Sequence, residues 1–310
     1  MVVGSIPTPG AINLKTLFFL KKMEKNCKHA KLPEYIFGFS VLIVLFSFGI
    51  FYLIDLRNIF GFRDFLFNLN YEYFFFTYYP FFFQHWGRNG GFAEILQWLL
   101  LAGSVIMAAF SAGKLHLKNK KFFRFWAILS VAFCLMLLED AGEIRHVFMS
   151  YIQAMAGEID QGIIGTLAEF VYFLILGFLP LYALIRYWKI LEKIIKTKIY
   201  LLIGFFSYAL AASLSFLGSA FEGILEKNFY TIAGEKFYQM CLFLGDQALA
   251  ARWGTWDGGG LFTIEFFLMD SLVEEGLELI GAGAILAATV SFFLYLKYRK
   301  DLFLNNTPEK

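Results

Sequence analysis

Six apolar runs, each about as long as a helix needs to cross the roughly 30 Å hydrocarbon layer of a bilayer, constrain this chain more than any other feature. They lie near residues 35–54, 93–113, 122–140, 164–187, 199–219 and 268–296. The expected fold is therefore all-α: a polytopic transmembrane bundle of about six spanning helices. Composition agrees, with 59% hydrophobic and 17% charged residues, against about half and a quarter in soluble domains.

A seventh apolar stretch, "YFFFTYYPFFF" at 73–83, is short, contains Pro80 and has polar residues on both sides. It reads as an interfacial or re-entrant segment. Charge supports that count of six. With six spans, about 20 of the 27 Lys and Arg residues fall in the N-terminal tail, the loops near 114–124 and 186–198, and the C-terminal tail. Basic loops mark the cytoplasmic side, so both termini are expected in the cytoplasm and the chain in the cell (inner or plasma) membrane. The organisation expected is a cytoplasmic tail over 1–34, one transmembrane domain over 35–296 with long outer loops at 55–92 and 220–267, and a second cytoplasmic tail over 297–310. The N-terminal "LFFL" is too short for a signal-peptide core. The acceptor "NNT" at 305–307 would lie on the cytoplasmic side, where it is unused.

Cys27, Cys134 and Cys241 show no CxxC spacing, which suggests neither a disulfide framework nor a cysteine zinc site. No Walker loop, dinucleotide glycine pattern, HExxH or nucleophile elbow is present. "WGTWDGGGLF" reads as a turn before the sixth helix. The basic stretch "WKILEKIIKTK" is a solvated face beside anionic headgroups, and nucleic acid is not an expected partner.

The acids collect at the opposite side. Counting about 20 residues outward from Arg124 places the outer rim near residue 144, so Glu139 and Asp140 fall inside it. The same count places Glu169 on the fourth helix slightly inside the rim, Glu278 on the sixth within it, and Glu274 and Glu275 on it. Glu139, Glu143 and His146 have the i, i+4, i+7 spacing of one helical face, as do Asp270, Glu274 and Glu278. Gly276, Gly281, Ala282, Gly283, Ala284, Ala287 and Ala288 follow, small residues that permit close helix approach in lipid. The fifth helix offers a matching set in "YALAASLSFLGSA", which predicts tight pairing of the fifth and sixth helices.

Solvated helix ends account for some of these acids. A carboxylate within hydrocarbon, however, costs about 2.5–3.5 kcal/mol on insertion scales, and several together repel one another. Such a cluster persists if it binds cations, holds protons or lines a water-filled cavity. Glu143 and His146 have the Glu-x-x-His spacing of di-metal carboxylate bundles. With Glu139, Asp140, Glu169, Asp270, Glu274, Glu275 and Glu278 they form the candidate metal site, suited to iron, manganese or zinc, with His85 as a further ligand. The aromatic 55–92 loop and the amphipathic "FYQMCLFLGDQALAARW" are expected in the interface, as an aromatic belt or as a lid over the acids.

An acidic patch ending in His, paired with "EEGLELIGA" opening a small-residue helix, resembles a pattern of uncharacterised bacterial polytopic membrane proteins. Those carry Asp-Glu, then His-Glu, and later Glu-Glu-x-x-x-Glu before a Gly-Ala segment. Here the elements are Glu139-Asp140 ending in His146 with no following Glu, and Glu274-Glu275-x-x-Glu278. The resemblance covers two short segments and implies a multi-pass membrane protein without assigning an activity.

Three functions follow as alternatives. One is a metal-dependent membrane enzyme acting on a lipid or small apolar ligand. Another is a proton- or cation-coupled transporter using the same acids; Pro180 lies in the fourth helix, but no internal repeat of the transporter kind stands out. The last is a packing subunit of a membrane complex.

Overall fold

The computed structural model describes residues 31–66, 68, 91–156, 161–192, 194–219, 229–254 and 263–298. The segment 73–83, His85, Glu222, Glu226, the glycine turn at 255–260 and most of both terminal tails lie outside the described residues.

Among the described residues the chain is helical throughout, with no strand. In chain order the elements are α1 (Leu32–Ile50), continued by a π-helical turn at Phe51–Leu56; α2 (Phe92–Leu115); α3 (Lys120–Gly142); α4 (Ile144–Ala156); α5 (Gln161–Leu191); α6 (Ile195–Ser219); α7 (Phe229–Leu244); α8 (Leu249–Gly254); α9 (Ile264–Phe267); a second π-helical turn at Leu268–Glu274; and α10 (Glu275–Tyr298). Among the described residues, six helical stretches are long and apolar enough to span a membrane: Leu32–Leu56, Phe92–Leu115, Lys120–Gly142, Ile164–Leu191, Ile195–Leu217 and Ile264–Lys297. They coincide with the six runs read from hydropathy to within four residues at each end. The protein is thus a multi-pass helical bundle of the membrane-embedded kind.

The sixth span is the axis of this bundle. Ala282, Ala284, Ile285, Ala287, Ala288 and Phe292 on α10 are fully buried, and α10 packs on α1, α2 and α6 together. Its small residues make that possible, because helix association in lipid rests on close backbone approach. The expected pairing of the fifth and sixth spans is present. A Cβ added at Gly204 of α6 would lie 2.6 Å from Ile285 Cγ1 and 3.1 Å from the Gly281 carbonyl oxygen. One added at Gly281 would lie 2.7 Å from the Tyr208 ring. At the other end of the core, Phe292 stacks on Trp126 at 4.5 Å between ring centroids and on Phe122 at 5.7 Å, joining α3 to α10.

The bundle has two chemically opposite ends. Lys196 at the start of α6 bonds Glu34 at the start of α1 at 2.7 Å, and Lys31, Lys114, Arg124 and Lys297 lie at the termini of helices at this same end. The opposite end carries the acids and a helical cap. The 220–267 region, expected as an outer loop, contains α7 and α8, and the sixth span begins at Ile264. Cys241, Leu249 and Trp253 of this cap pack with Phe51 and Leu56 of the first span and with Phe267, Leu268 and Leu272. Arg63, fully buried, fastens the cap to the first loop: its Nη2 donates to both Asp246 carboxylate oxygens, at 2.9 and 3.1 Å, and its Nη1 to the Asp55 carbonyl.

Candidate functional site

A cavity of about 1100 Å³ opens at the acidic end and runs down between α5 and α6. Seven of the nine residues singled out in the sequence line it: Glu139, Asp140, Glu143, Asp270, Glu274, Glu275 and Glu278. The π-helical turn at Leu268–Glu274 carries Asp270 and Glu274. A turn with one residue more than an α-helix redirects the side chains after it, and such insertions recur at functional sites.

The predicted continuity of the third helix through His146 is not observed. α3 stops at Gly142, Glu143 adopts a left-handed conformation at φ 46° and ψ 36°, and a new helix starts at Ile144. The left-handed region is the usual place for a chain to leave a helix, and here a glutamate occupies it. The Glu139, Glu143, His146 stripe is therefore cut in two, and His146 belongs to the first turn of α4. The break has a consequence for Arg145, which now points across the bundle end. Its Nη1 donates to Ser215 Oγ of α6 at 2.6 Å and to Glu169 Oε1 of α5 at 3.3 Å. Its Nε lies 3.7 Å from Glu139 of α3, and its guanidinium sits over the Phe173 ring at 5.2 Å. Tyr172 donates to the second Glu139 oxygen. Glu169, buried, is thus a partner of Arg145 and not a cavity wall. Arg145 ties four helices at one point.

The inner carboxylates have different partners. Gln97 on α2, 1% exposed, donates through Nε2 to Asp140 Oδ2 on α3 at 2.7 Å and to Glu278 Oε2 on α10 at 2.9 Å. One neutral amide nitrogen thus bridges carboxylates of two other helices. Among the described residues, the buried Gln97 Oε1, the Tyr208 hydroxyl beside this amide and the buried Oε2 of Glu275 have no hydrogen-bond partner. Ser271 donates to Asp270 at 3.3 Å, and Tyr230 of α7 to Glu274 at 2.9 Å. Burial, with Glu274 and Asp270 beside it, pushes the Tyr230 hydroxyl above its ordinary range, so it stays protonated and donates. The cap therefore reaches the acidic wall through this hydroxyl. Among the described residues, Asp140, Asp270, Glu274, Glu275 and Glu278 form no ion pair within 4 Å; Arg145 is engaged with Glu139 and Glu169.

The metal-site expectation fares differently. Among the described residues no three His, Cys, Asp or Glu side chains form a group able to hold a metal ion.

Sequence reasoning missed three residues. Glu94 and Gln97, in the first two turns of α2, line the cavity, and Arg145 organises its rim. Gln97 was legible as an amide within a mostly apolar 24-residue helix. Compared with family models, with curated proteins and with solved structures, the chain matches none of them.

Proposed function

We propose that this protein is a membrane carrier that binds and exchanges protons or other small cations at the junction of Asp140, Gln97 and Glu278. The observation that carries this reading is the bridge itself: two carboxylates on separate helices, held by one neutral amide, with no basic side chain among the described residues within 4 Å of either. A carboxylate pair of this kind within a membrane bundle needs positive charge from outside the protein. Its placement on three helices, α2, α3 and α10, means that arrival and departure of that charge alter how those helices pack. We place the basic end of the bundle in the cytoplasm, on the distribution of Lys and Arg, and the acidic cavity on the outer side of the inner or plasma membrane. The metal-dependent enzyme is the weaker reading, because it requires three or more ligands around one point and the described residues do not supply them.

The test is flux in proteoliposomes enclosing a pH-sensitive dye, with imposed gradients of protons, Na⁺ or K⁺. Wild-type protein should dissipate at least one gradient, and Asp140→Asn and Glu278→Gln should each remove that activity while the protein keeps its helical content. Absence of flux for all three cations, or flux untouched by both substitutions, would sink the proposal.

A further inference from the structure

We infer that the same cavity takes a lipophilic organic cation, an amine or ammonium group carried on an apolar body, which enters sideways from the lipid between α5 and α6. The inference rests on the reading of the cavity as a cation site and specifies its second substrate class. The first observation is the shape of the chemistry. At one end stand Asp140, Glu278 and Glu275; from there the cavity continues along α5 from Phe170 to Leu184, 14 residues or about 21 Å of helix, past Phe173, Leu174, Gly177 and Phe178. A small inorganic cation uses only the first part. An amphiphile uses both.

The second observation is the side opening. Leu174, Phe178 and Leu181 on α5 and Phe206 on α6 line the cavity and are also more than half exposed, so the wall there faces the bilayer. Pro180 removes one backbone hydrogen bond from α5 at that level and marks a point where the helix deforms at low cost. The third is the buried Glu275 Oε2, which has no hydrogen-bond partner among the described residues. What this oxygen lacks is a donor, and a protonated amine supplies N–H groups to it and to the adjacent carboxylates together. The sign of the charge follows from the wall. Arg145 is occupied by Glu139, Glu169, Ser215 and the Phe173 ring, which leaves the carboxylates to repel an anionic headgroup.

The test is equilibrium binding of radiolabelled decylammonium to the full chain in nanodiscs, with empty nanodiscs subtracted. Saturable binding is expected, displaced by unlabelled decylammonium and not by decanoate. Glu278→Gln should weaken it by about tenfold or more. Gly177→Trp fills the apolar stretch without touching a carboxylate, since a side chain there starts in open space; it should weaken decylammonium binding similarly while small-cation flux persists. No binding above empty nanodiscs, equal displacement by decanoate, or wild-type binding in both variants would overturn the inference. Small-cation flux without decylammonium binding overturns this inference and leaves the exchange reading; binding without any flux does the reverse.

Discussion

Replacing Gln97 by leucine tests the central geometry directly. The two bonds from Nε2, 2.7 and 2.9 Å long, keep the Asp140 and Glu278 oxygens no more than about 5.6 Å apart. At that separation two ionised carboxylates repel by about 3 kcal/mol at an effective dielectric constant of about 20, and each bond to a charged acceptor contributes about 1.5–3 kcal/mol. Leucine removes both bonds and leaves the repulsion. Water in the cavity recovers part of the loss, so Gln97→Leu should destabilise the bundle by about 2–4 kcal/mol. The diagnostic quantity is the coupling with Asp140→Asn in a double-mutant cycle, read from equilibrium unfolding in mixed detergent micelles. With Asp140 neutral, only one charged bond is lost and no repulsion remains, so the two substitutions together should cost about 2 kcal/mol less than their sum. Additivity within about 0.5 kcal/mol would show that Gln97 does not bridge the two acids, and the exchange junction would have to be abandoned.

Three further outcomes follow from named contacts. Arg145→Ala strips Glu139 and Glu169 of their guanidinium in a site where the three side chains are 16%, 13% and 6% exposed; unfolding should become easier by about 2–4 kcal/mol, and adding Glu169→Gln should restore part of that stability. Gly204→Ala sets a methyl group against the Ile285 side chain and the Gly281 carbonyl, so a loss of about 1–3 kcal/mol is expected, whereas Gly177→Ala, with open space at its Cβ, should change stability by less than about 0.5 kcal/mol. Burial pushes the Cys241 thiol up to about 12, which leaves almost no thiolate at pH 8; maleimide labelling followed by mass spectrometry should find Cys241 unmodified in the native protein and modified only after unfolding.

Legibility of the fold followed from the solvent. In lipid the backbone must satisfy itself, so the length of an apolar run fixes a span almost directly, and all six emerged from hydropathy. Pairing of α6 with α10 was readable from Gly281 and the alanines after it, small residues that permit close approach, although α6 comes nearest at Gly204, ahead of the "YALAASLSFLGSA" set. Inside the site, reading stopped at the backbone. Nothing in "EDAGEIRH" distinguishes a helix that continues through Glu143 from one that breaks there, since the residue in the left-handed position is not a glycine. The break redirected Arg145 and turned Glu169 into its partner. The π-helical turn at Leu268–Glu274 was likewise invisible, as no residue type marks an inserted position. Gln97 was a missed signal: a glutamine in the interior of a span is costly unless its amide finds partners, and that cost could have linked α2 to the acids.

The cavity and the packed axis have one cause. α6 turns Gly204 and the buried Leu201 and Ala211 toward the bundle, where α10 is its principal neighbour, and this leaves Leu202 and Phe206 on its outer side, both exposed. Its contact with α5 is therefore slight, and the two helices are joined at the acidic end by Arg145, bonded to Glu169 on one and Ser215 on the other. Below that tie, the Pro180 region of α5 faces Leu202 and Phe206 across open space. The small residues that draw the acidic wall of the sixth span into the bundle are thus the same ones that hold α6 away from α5. A charged chamber and an apolar side entrance arise from a single packing choice, and filling Gly204 should disturb both together, while filling Gly177 should close only the entrance.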